Sequence, residues 1–415
     1  MTYPTDLTPR EQETARARLR KLAEEFTAGG TLRTPQWREV FQRTWRHPYV
    51  PAYYPALGAP ALTALDPQRR GEWLDAVYSN ETLITKVVWL PMTRELRPGA
   101  APMWTSSSTM PSLVLNMLEA LRVENEHRVL EIGTGSGYST ALLCERLGSQ
   151  YVTSLDIDSE LVDLAGERLA AQGYKPTLVA ADGTDGYRPG APYDRIIATC
   201  AVPAIPPAWL AQASPGSVIL ADVRGPIGGT LARLTVDTAG TASGRFLPIC
   251  ASFMWLRHTP DIAVPASPPW LDGEPSESVS EIDPELIRSN GQFAFLLQWH
   301  LPGVTWGPIV YNGQPGVQLT APDGSHVLAI GHRAGGSLVT QVGPTRLWER
   351  VRDAYELWQR AGQPTYERFG ITATATEQFV WLDEPGGEHR WQLSSKVSAG
   401  GRMAVGPGGT GAHGV

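Results

Sequence analysis

Three groups of residues have the types and spacing to do chemistry. The first is a glycine run, Arg128-Val-Leu-Glu131-Ile-Gly133-Thr134-Gly135-Ser136-Gly137-Tyr138. An apolar run ends there and a helix-like run, Tyr138 to Leu147, begins. Glycines let the backbone turn sharply and approach a ligand closely, and a helix N-terminus offers free N–H groups to a polar ligand. The second group is acidic: Asp156, followed by Ile157, closes one strand-like run, and Asp182-Gly183 closes another. The third is a hydroxyl run, Thr105-Ser106-Ser107-Ser108-Thr109, just ahead of a helical pattern from Ser112.

Spacing separates the possible ligands. A dinucleotide fingerprint would place glycine at 138, where Tyr138 stands, and a P-loop would need a Gly-Lys-Ser/Thr that is absent. Glu131-x-Gly133-x-Gly135-x-Gly137 is instead the pattern associated with S-adenosylmethionine (AdoMet) methyltransferases. Asp156 follows at the distance where a carboxylate at a strand tip accepts from both ribose hydroxyls. Asp182 could accept from the adenine amine. The competing readings are plainer: a ligand-free glycine turn, acids that only end strands, and a hydroxyl run that is a flexible loop with an N-cap. Eight histidines show no H-E-x-x-H or i,i+4 pair, so no metal is expected. Cys144 and Cys200 read as core residues rather than nucleophiles.

These groups need elements to hold them. The strand-like runs Val129–Ile132, Tyr151–Asp156, Pro176–Ala181, Tyr193–Cys200 and Ser217–Val223 alternate with helical runs, which implies a doubly wound parallel sheet. Strands near Thr230–Val236 and Phe253–Arg257 are expected to complete it. The expected fold class is α/β: a doubly wound, Rossmann-like AdoMet-dependent methyltransferase sheet with an N-terminal helical extension and a C-terminal α+β domain. Residues 1–100 form the extension, with helices over 8–28 and 34–44. Residues 101–257 form the AdoMet-binding domain, opening on a polar loop over 96–111. A Pro/Ser-rich linker covers 258–282. An α+β domain follows at 283–395, with a strand-like run at 293–297, a strong helix at 344–361 and a closing hairpin. A glycine-rich tail, 396–415, is expected to be disordered.

Bulk properties narrow the setting. The 415 residues are 42% hydrophobic and 19% charged, ordinary for a globular protein. A net charge of −7 argues against nucleic acid as a partner. No apolar run is long enough for a membrane span, and the polar N-terminus lacks a signal-like apolar core. Three widely spaced cysteines suit a reducing compartment, so a cytoplasmic location with no membrane partner is expected. Tryptophans at 270, 299, 306, 348, 358, 381 and 391 mark either core or a peptide-contacting surface.

Several stretches together resemble the protein-L-isoaspartate O-methyltransferase family. Arg46-His47-Pro-Tyr-Val-Pro51 is similar to that family's Arg-His-x-Phe-Val-Pro segment, and Ala76-Val-Tyr-Ser-Asn80 with Leu83-Ile84 to its Ala-Tyr-x-Asp…Leu-Pro-Ile. Leu130 to Tyr138 is nearly its AdoMet loop. Asp182-Gly183, Gly186 and Ala191-Pro-Tyr-Asp-Arg-Ile-Ile197 resemble later motifs. The likeness covers roughly 35–225. One departure stands out: the family's Ile-Ser-x-Pro-His/Tyr-Met substrate loop is replaced by a serine-rich version in which Thr109 aligns with its serine. With the long C-terminal region, this looks like the subgroup that accompanies ATP-grasp ligases in the maturation of ribosomally made macrocyclic peptides (graspetides).

The resemblance implies methyl transfer to an aspartyl or isoaspartyl carboxylate of a peptide, and the subgroup likeness implies a precursor peptide modified by an ATP-grasp ligase. A succinimide (aspartimide) would follow. Because the carboxylate is already ionised, no general base is required. Hydroxyl donors suit it, since they hold an anion without quenching its nucleophilicity. Ser106, Ser107, Ser108 and Thr109 are therefore assigned to the substrate. Glu131, Gly133, Thr134, Gly135, Ser136, Gly137, Asp156, Ile157, Asp182 and Gly183 are assigned to AdoMet. Isoaspartate repair is one alternative. A non-catalytic peptide-binding protein with a vestigial AdoMet fold is another.

Overall fold

Val129–Ile132 is buried along its whole length, as only an inner strand of a sheet covered on both faces can be. The rest of the molecule is arranged around it. This computed structural model describes residues 5–56, 58–91, 100–259, 273–331 and 335–393.

Helix α1 (Pro9–Ala28) starts at a capping box formed by Thr8 and Glu11 and buries Leu19, Leu22 and Phe26. Helices α2 (Pro35–Arg43) and α3 (Arg70–Val77) follow, with a short strand pair, β1 (Ala52–Tyr53) and β2 (Leu62–Thr63), between them. Strands β3 (Leu83–Pro91) and β4 (Ala100–Ser108) form a separate antiparallel ribbon with Leu83 opposite Ser108. Helix α4 (Pro111–Leu121) leads into the alternating unit: β5 (Val129–Ile132), α5 (Tyr138–Leu147), β6 (Val152–Asp156), α6 (Ser159–Ala171), β7 (Thr177–Ala180), β8 (Tyr193–Val202), α7 (Pro207–Gln212) and β9 (Ala213–Arg224). Strand β10 (Gly229–Val236) then adds antiparallel to β9, and β11 (Ala242–Phe246) antiparallel to β10.

Beyond them lie β12 (Ser276–Ser280), α8 (Glu285–Ser289), α9 (Gly291–His300), β13 (Thr305–Tyr311), β14 (Gln314–Thr320), β15 (His326–Gly331), β16 (Ser337–Val342), α10 (Leu347–Arg360), β17 (Phe369–Ala373), β18 (Gln378–Leu382) and β19 (Arg390–Gln392). Strands β12 to β16 make a five-stranded sheet of their own. The main sheet has ten strands in the order β19-β18-β17-β11-β10-β9-β8-β5-β6-β7. Its five strands from β9 to β7 are parallel. The chain leaves β5 toward β6 and β7, then returns to the other side as β8. The crevice between β5 and β8 is therefore the switch point where such sheets bind ligands.

The doubly wound α/β sheet and its N-terminal helices are as expected from the sequence, and three local expectations are corrected. The polar loop expected over 96–111 is strand β4 from Ala100 to Ser108, and each residue from Ser106 to Ser108 has a cross-strand partner on β3. The strand-like run at 293–297 belongs to helix α9. Asn290 caps it, its side chain accepting from the Phe293 N–H at 2.9 Å. Seven of its residues are buried, so no polar face betrays the helical period. Phe253–Arg257 is not a full strand and touches the sheet through a single bridge, Trp255 to Ala201.

The C-terminal region does not close on itself. Strand β17 pairs with β11, extending the main sheet, and Phe295 of α9 meets Phe246 of β11 edge-on at 4.8 Å. Trp299, Trp348, Trp358 and Trp381 are buried there, which makes them core. Most of the expected linker, 258–282, the tail 396–415 and Trp270 lie outside the described residues.

Candidate active site

The glycine loop and the hydroxyl strand face each other across one cleft. It encloses about 1100 Å³, open to solvent, at the C-terminal ends of the parallel strands. Ser106, Ser107, Ser108, Thr109, Gly133, Thr134, Gly135, Ser136, Asp156, Ile157 and Gly183 line it.

Gly133 has φ +100° and Gly135 φ +51°, a backbone region that residues with a side chain rarely adopt. A Cβ at Gly133 would overlap the Thr199 hydroxyl. That hydroxyl donates to the Gly133 carbonyl at 2.7 Å and so cannot move aside freely. The Gly133 and Thr134 N–H groups donate to the Leu155 carbonyl at 2.7 and 3.0 Å, pinning the loop to the end of β6. Gly135 is the point of closest approach: a Cβ there would stand 3.6 Å from both Ser106 Oγ and the Ser107 carbonyl.

Asp156 ends β6 with both carboxylate oxygens oriented. Oδ2 accepts from the Gly135 N–H at 2.9 Å and Oδ1 from the Asp158 N–H at 3.1 Å. Each oxygen retains acceptor capacity toward the cleft. Burial pushes its pKa up, against the pull of those two N–H groups.

The hydroxyl strand is held from behind. Ser106 Oγ accepts from Thr85 Oγ1 at 3.0 Å. Arg46 donates through Nε to Ser108 Oγ at 3.2 Å and through Nη2 to the Ser108 and Thr109 carbonyls at 2.9 and 3.2 Å. Lys86 of β3 pairs with Asp158 and Glu160 at the start of α6, at 2.7 and 2.6 Å, tying the ribbon to the AdoMet half of the cleft.

Three assigned residues do not line the cleft. Glu131 is fully buried, and its Oε2 accepts from the hydroxyls of Thr140 and Ser154. Burial raises its pKa, and the nearby hydroxyls offset that only in part. Its place is beneath the loop. Gly137, the N-cap of α5, packs toward Ala165. Asp182 spends Oδ1 on the Thr184 N–H and hydroxyl, at 2.9 and 2.8 Å, and Oδ2 meets His258 Nδ1 at 3.1 Å.

Other lining residues went unassigned. Phe253 to Arg257 form one wall, with the Phe253 N–H donating to the buried Asp222 at 3.0 Å and the Leu256 N–H to the Ala201 carbonyl at 2.8 Å. Trp104, Thr199 and Cys200 also line the cleft. The 253–257 wall carries no motif. Arg46 stood in a quoted motif, yet nothing in its spacing showed that it reaches residue 108.

AdoMet fits this donor set. Its ribose suits the oriented Asp156 carboxylate, and the α5 N-terminus suits a polar end. Thr105 Oγ1 and Trp104 Nε1 are buried at the cleft without a hydrogen-bond partner among the described residues. Among the described residues no cluster could hold a metal ion, and no helix is long and apolar enough to cross a membrane.

Comparison with known proteins points the same way. The sequence model of the protein-L-isoaspartate(D-aspartate) O-methyltransferase family matches residues 70–238. A protein-L-isoaspartate O-methyltransferase of Methanosarcina mazei is 30% identical over 237 residues, covering 57% of this chain and 82% of that one. One from Methanoculleus marisnigri is 37% identical over 153 residues, 35% of this chain and 69% of its own. One from Ignicoccus hospitalis is 41% identical over 115 residues, and the match spans 27% of this chain and 54% of that relative. A solved protein-L-isoaspartate O-methyltransferase superposes with a TM-score of 0.50 at 15% identity, covering 89% of this chain and all of that one, which is a likeness of fold.

Proposed function

The chain belongs to the protein-L-isoaspartate O-methyltransferase family, whose members are AdoMet-dependent carboxyl methyltransferases, and on that premise we propose that it methylates an aspartyl or isoaspartyl carboxylate in a peptide. The observation that carries this reading is that the hydroxyl strand and the glycine loop line one cleft, so close that a Cβ added at Gly135 would stand 3.6 Å from Ser106 Oγ.

AdoMet, when bound, supplies an electrophilic methyl group on a sulfonium. Asp156, the closely approaching glycine loop and Gly183 hold it. The acceptor carboxylate, with an ordinary pKa of about 3.9, enters already ionised, so no residue has to remove a proton. The chain orients that carboxylate with hydroxyl donors and shields it from water with Trp104 and the 253–257 wall. A side-chain methyl ester beside a backbone N–H is activated. When that nitrogen attacks the ester carbon, a C–N bond forms, the C–OCH₃ bond breaks, and the amide proton leaves with methoxide as methanol. The product is a succinimide.

The finer reading is that the peptide is ribosomally made and already cyclised by an ATP-grasp ligase. The serine-rich replacement of the substrate loop and the long region beyond residue 238, where the family match ends, support it. Isoaspartate repair is favoured instead by the family match itself. Mass spectrometry separates the two. A cyclised precursor peptide incubated with enzyme and AdoMet should gain one methyl and then lose methanol, while a simple isoaspartyl peptide should turn over poorly. Efficient turnover of the simple peptide, with none of the precursor, would favour repair. Absence of any base-labile methyl ester on either would end the carboxyl-methylation reading.

A further inference from the structure

Arg46 is 1% exposed, and no carboxylate pairs with it among the described residues. All its partners are neutral oxygens. Nη1 donates to the Val77 and Ser79 carbonyls, both at 3.3 Å. Nη2 donates to the carbonyls of Glu81, Ser108 and Thr109 at 2.9, 2.9 and 3.2 Å. Nε donates to Ser108 Oγ at 3.2 Å. Its Cζ lies 5.9 Å from the Tyr138 ring centre. Burial lowers its pKa only to about 10, so it is a cation at neutral pH. A buried cation without a counter-ion is costly, and structures retain one where an anion completes it.

Guanidinium has donors and no acceptor. Ser108 Oγ must therefore accept from Arg46, and the Ser108 proton is left to donate elsewhere. No protein acceptor takes it among the described contacts, and Ser108 lines the cleft. Ser108, itself buried, is thus left as a donor at the cleft, with a positive charge behind it that Glu81 attracts but no carboxylate pairs directly among the described residues.

We propose that Arg46 is a positioning residue that fixes Ser108 as the donor to an anionic oxygen in the cleft and, by its buried charge, makes the site select an ionised carboxylate over the isosteric carboxamide. The carboxylate in question is that of the peptide substrate, so the inference rests on the methylation reading above. The guanidinium stays one hydroxyl away from the anion. It stabilises the carboxylate in the cleft without pairing directly with the oxygen that must act as nucleophile. Ser107 and Thr109, whose hydroxyls Arg46 does not reach, shape the cleft without this selectivity.

The test uses the full chain and one pair of peptides, built on whichever of the isoaspartyl peptide and the cyclised precursor the wild-type protein binds: the peptide itself, and the same peptide with its acceptor carboxylate converted to carboxamide. Binding of each is measured with S-adenosylhomocysteine present, so turnover is not required, and AdoMet affinity is measured separately by calorimetry. The wild-type protein should bind the carboxylate peptide at least about 10-fold more tightly, the scale of one hydrogen bond to a charged group. Ser108→Ala leaves the carbonyl contacts of Arg46 in place. It should cut that ratio several-fold by weakening the carboxylate peptide alone, with AdoMet affinity and melting temperature unchanged. Arg46→Gln should collapse the ratio to near one, and Arg46→Lys should retain part of it. If Arg46→Gln fails to fold, Ser108→Ala decides the matter. A wild-type ratio near one, or a ratio untouched by Ser108→Ala, overturns the proposal. So does a loss confined to AdoMet affinity, since the carboxylate served would then be AdoMet's own. Should the wild-type discriminate as expected but transfer no methyl group, the selectivity stands and the methylation reading falls.

Discussion

The glycine loop and the hydroxyl strand form opposite walls of one cleft, but they are built in different ways. The loop is a local object. Gly133 and Gly135 take conformations glycine alone adopts readily, and the contacts that set the loop come from the next strand, at Leu155 and Asp156. The hydroxyl strand is an assembled object. Ser108 is held by a residue 62 positions away and Ser106 by one 21 positions away, and the ribbon is anchored through Lys86 to α6. Cofactor binding can therefore persist through changes that remodel the substrate side. That separation is what a family needs in order to keep one reaction while exchanging acceptors.

Breaking the local wall should have the largest effect. Gly133→Ala forces a Cβ into Thr199 at positive φ, and should cost about 3 kcal/mol of stability and abolish AdoMet binding, read by denaturant unfolding and calorimetry. A stable variant with intact affinity would show that the loop is not set by its glycines. Acid should strike the assembled wall next. His47 adjoins Arg46 and bonds Tyr78 Oη at 2.6 Å, and burial pushes its pKa from 6.5 down to about 4. Between those values the unfolded chain binds more protons. Stability contributed by neutral His47 is thus full above pH 6.5 and lost as pH falls toward 4, about 3 kcal/mol in all. Melting curves of His47→Asn should be flatter across that window, with the part due to His300, pushed down to about 4 in the same way, remaining.

Asp156→Ala should weaken AdoMet about 100-fold, the worth of oriented charge-assisted hydrogen bonds, with the fold intact by circular dichroism. Ser106→Ala should lower kcat/KM for peptide about 5-fold with AdoMet affinity unchanged; a change in AdoMet affinity instead would mean the two walls share one ligand. The smallest effect is expected at Asp182. Its oxygens are engaged by Thr184 and His258, so Asp182→Asn should shift AdoMet affinity by no more than about 2-fold, the scale of a weak or exposed contact. A large loss would show that His258 gives way to the adenine amine.

Much of the fold was legible because its signals are local. The α5 helix begins at Tyr138, directly after the glycine turn, and the apolar runs at 129–132 and 193–200 read as buried strands because burial on both faces demands it. Asp156 was found by its distance from the loop. The failures share a cause. Phe293–Leu297 is buried all round, so periodicity could not separate helix from strand. The hydroxyl run reads as a loop by residue type, and only its partners on β3 make it a strand. Residues 369–392 look like the end of a separate domain, and only the pairing of β17 with β11 shows that they extend the main sheet.

The sequence by itself therefore determined the family, the parallel sheet and the half-site for AdoMet. Each of these depends on residues within about one strand–turn–helix unit of one another. Tertiary structure alone decided which predicted residues reach the cleft. It drew Glu131 and Asp182 away from the cleft wall, and it brought in the 253–257 wall. It also set Arg46 behind Ser108, so that one hydroxyl among five became a donor backed by a buried charge. Hydrogen-bond direction and burial are properties of packed neighbours, and no spacing along the chain encodes them.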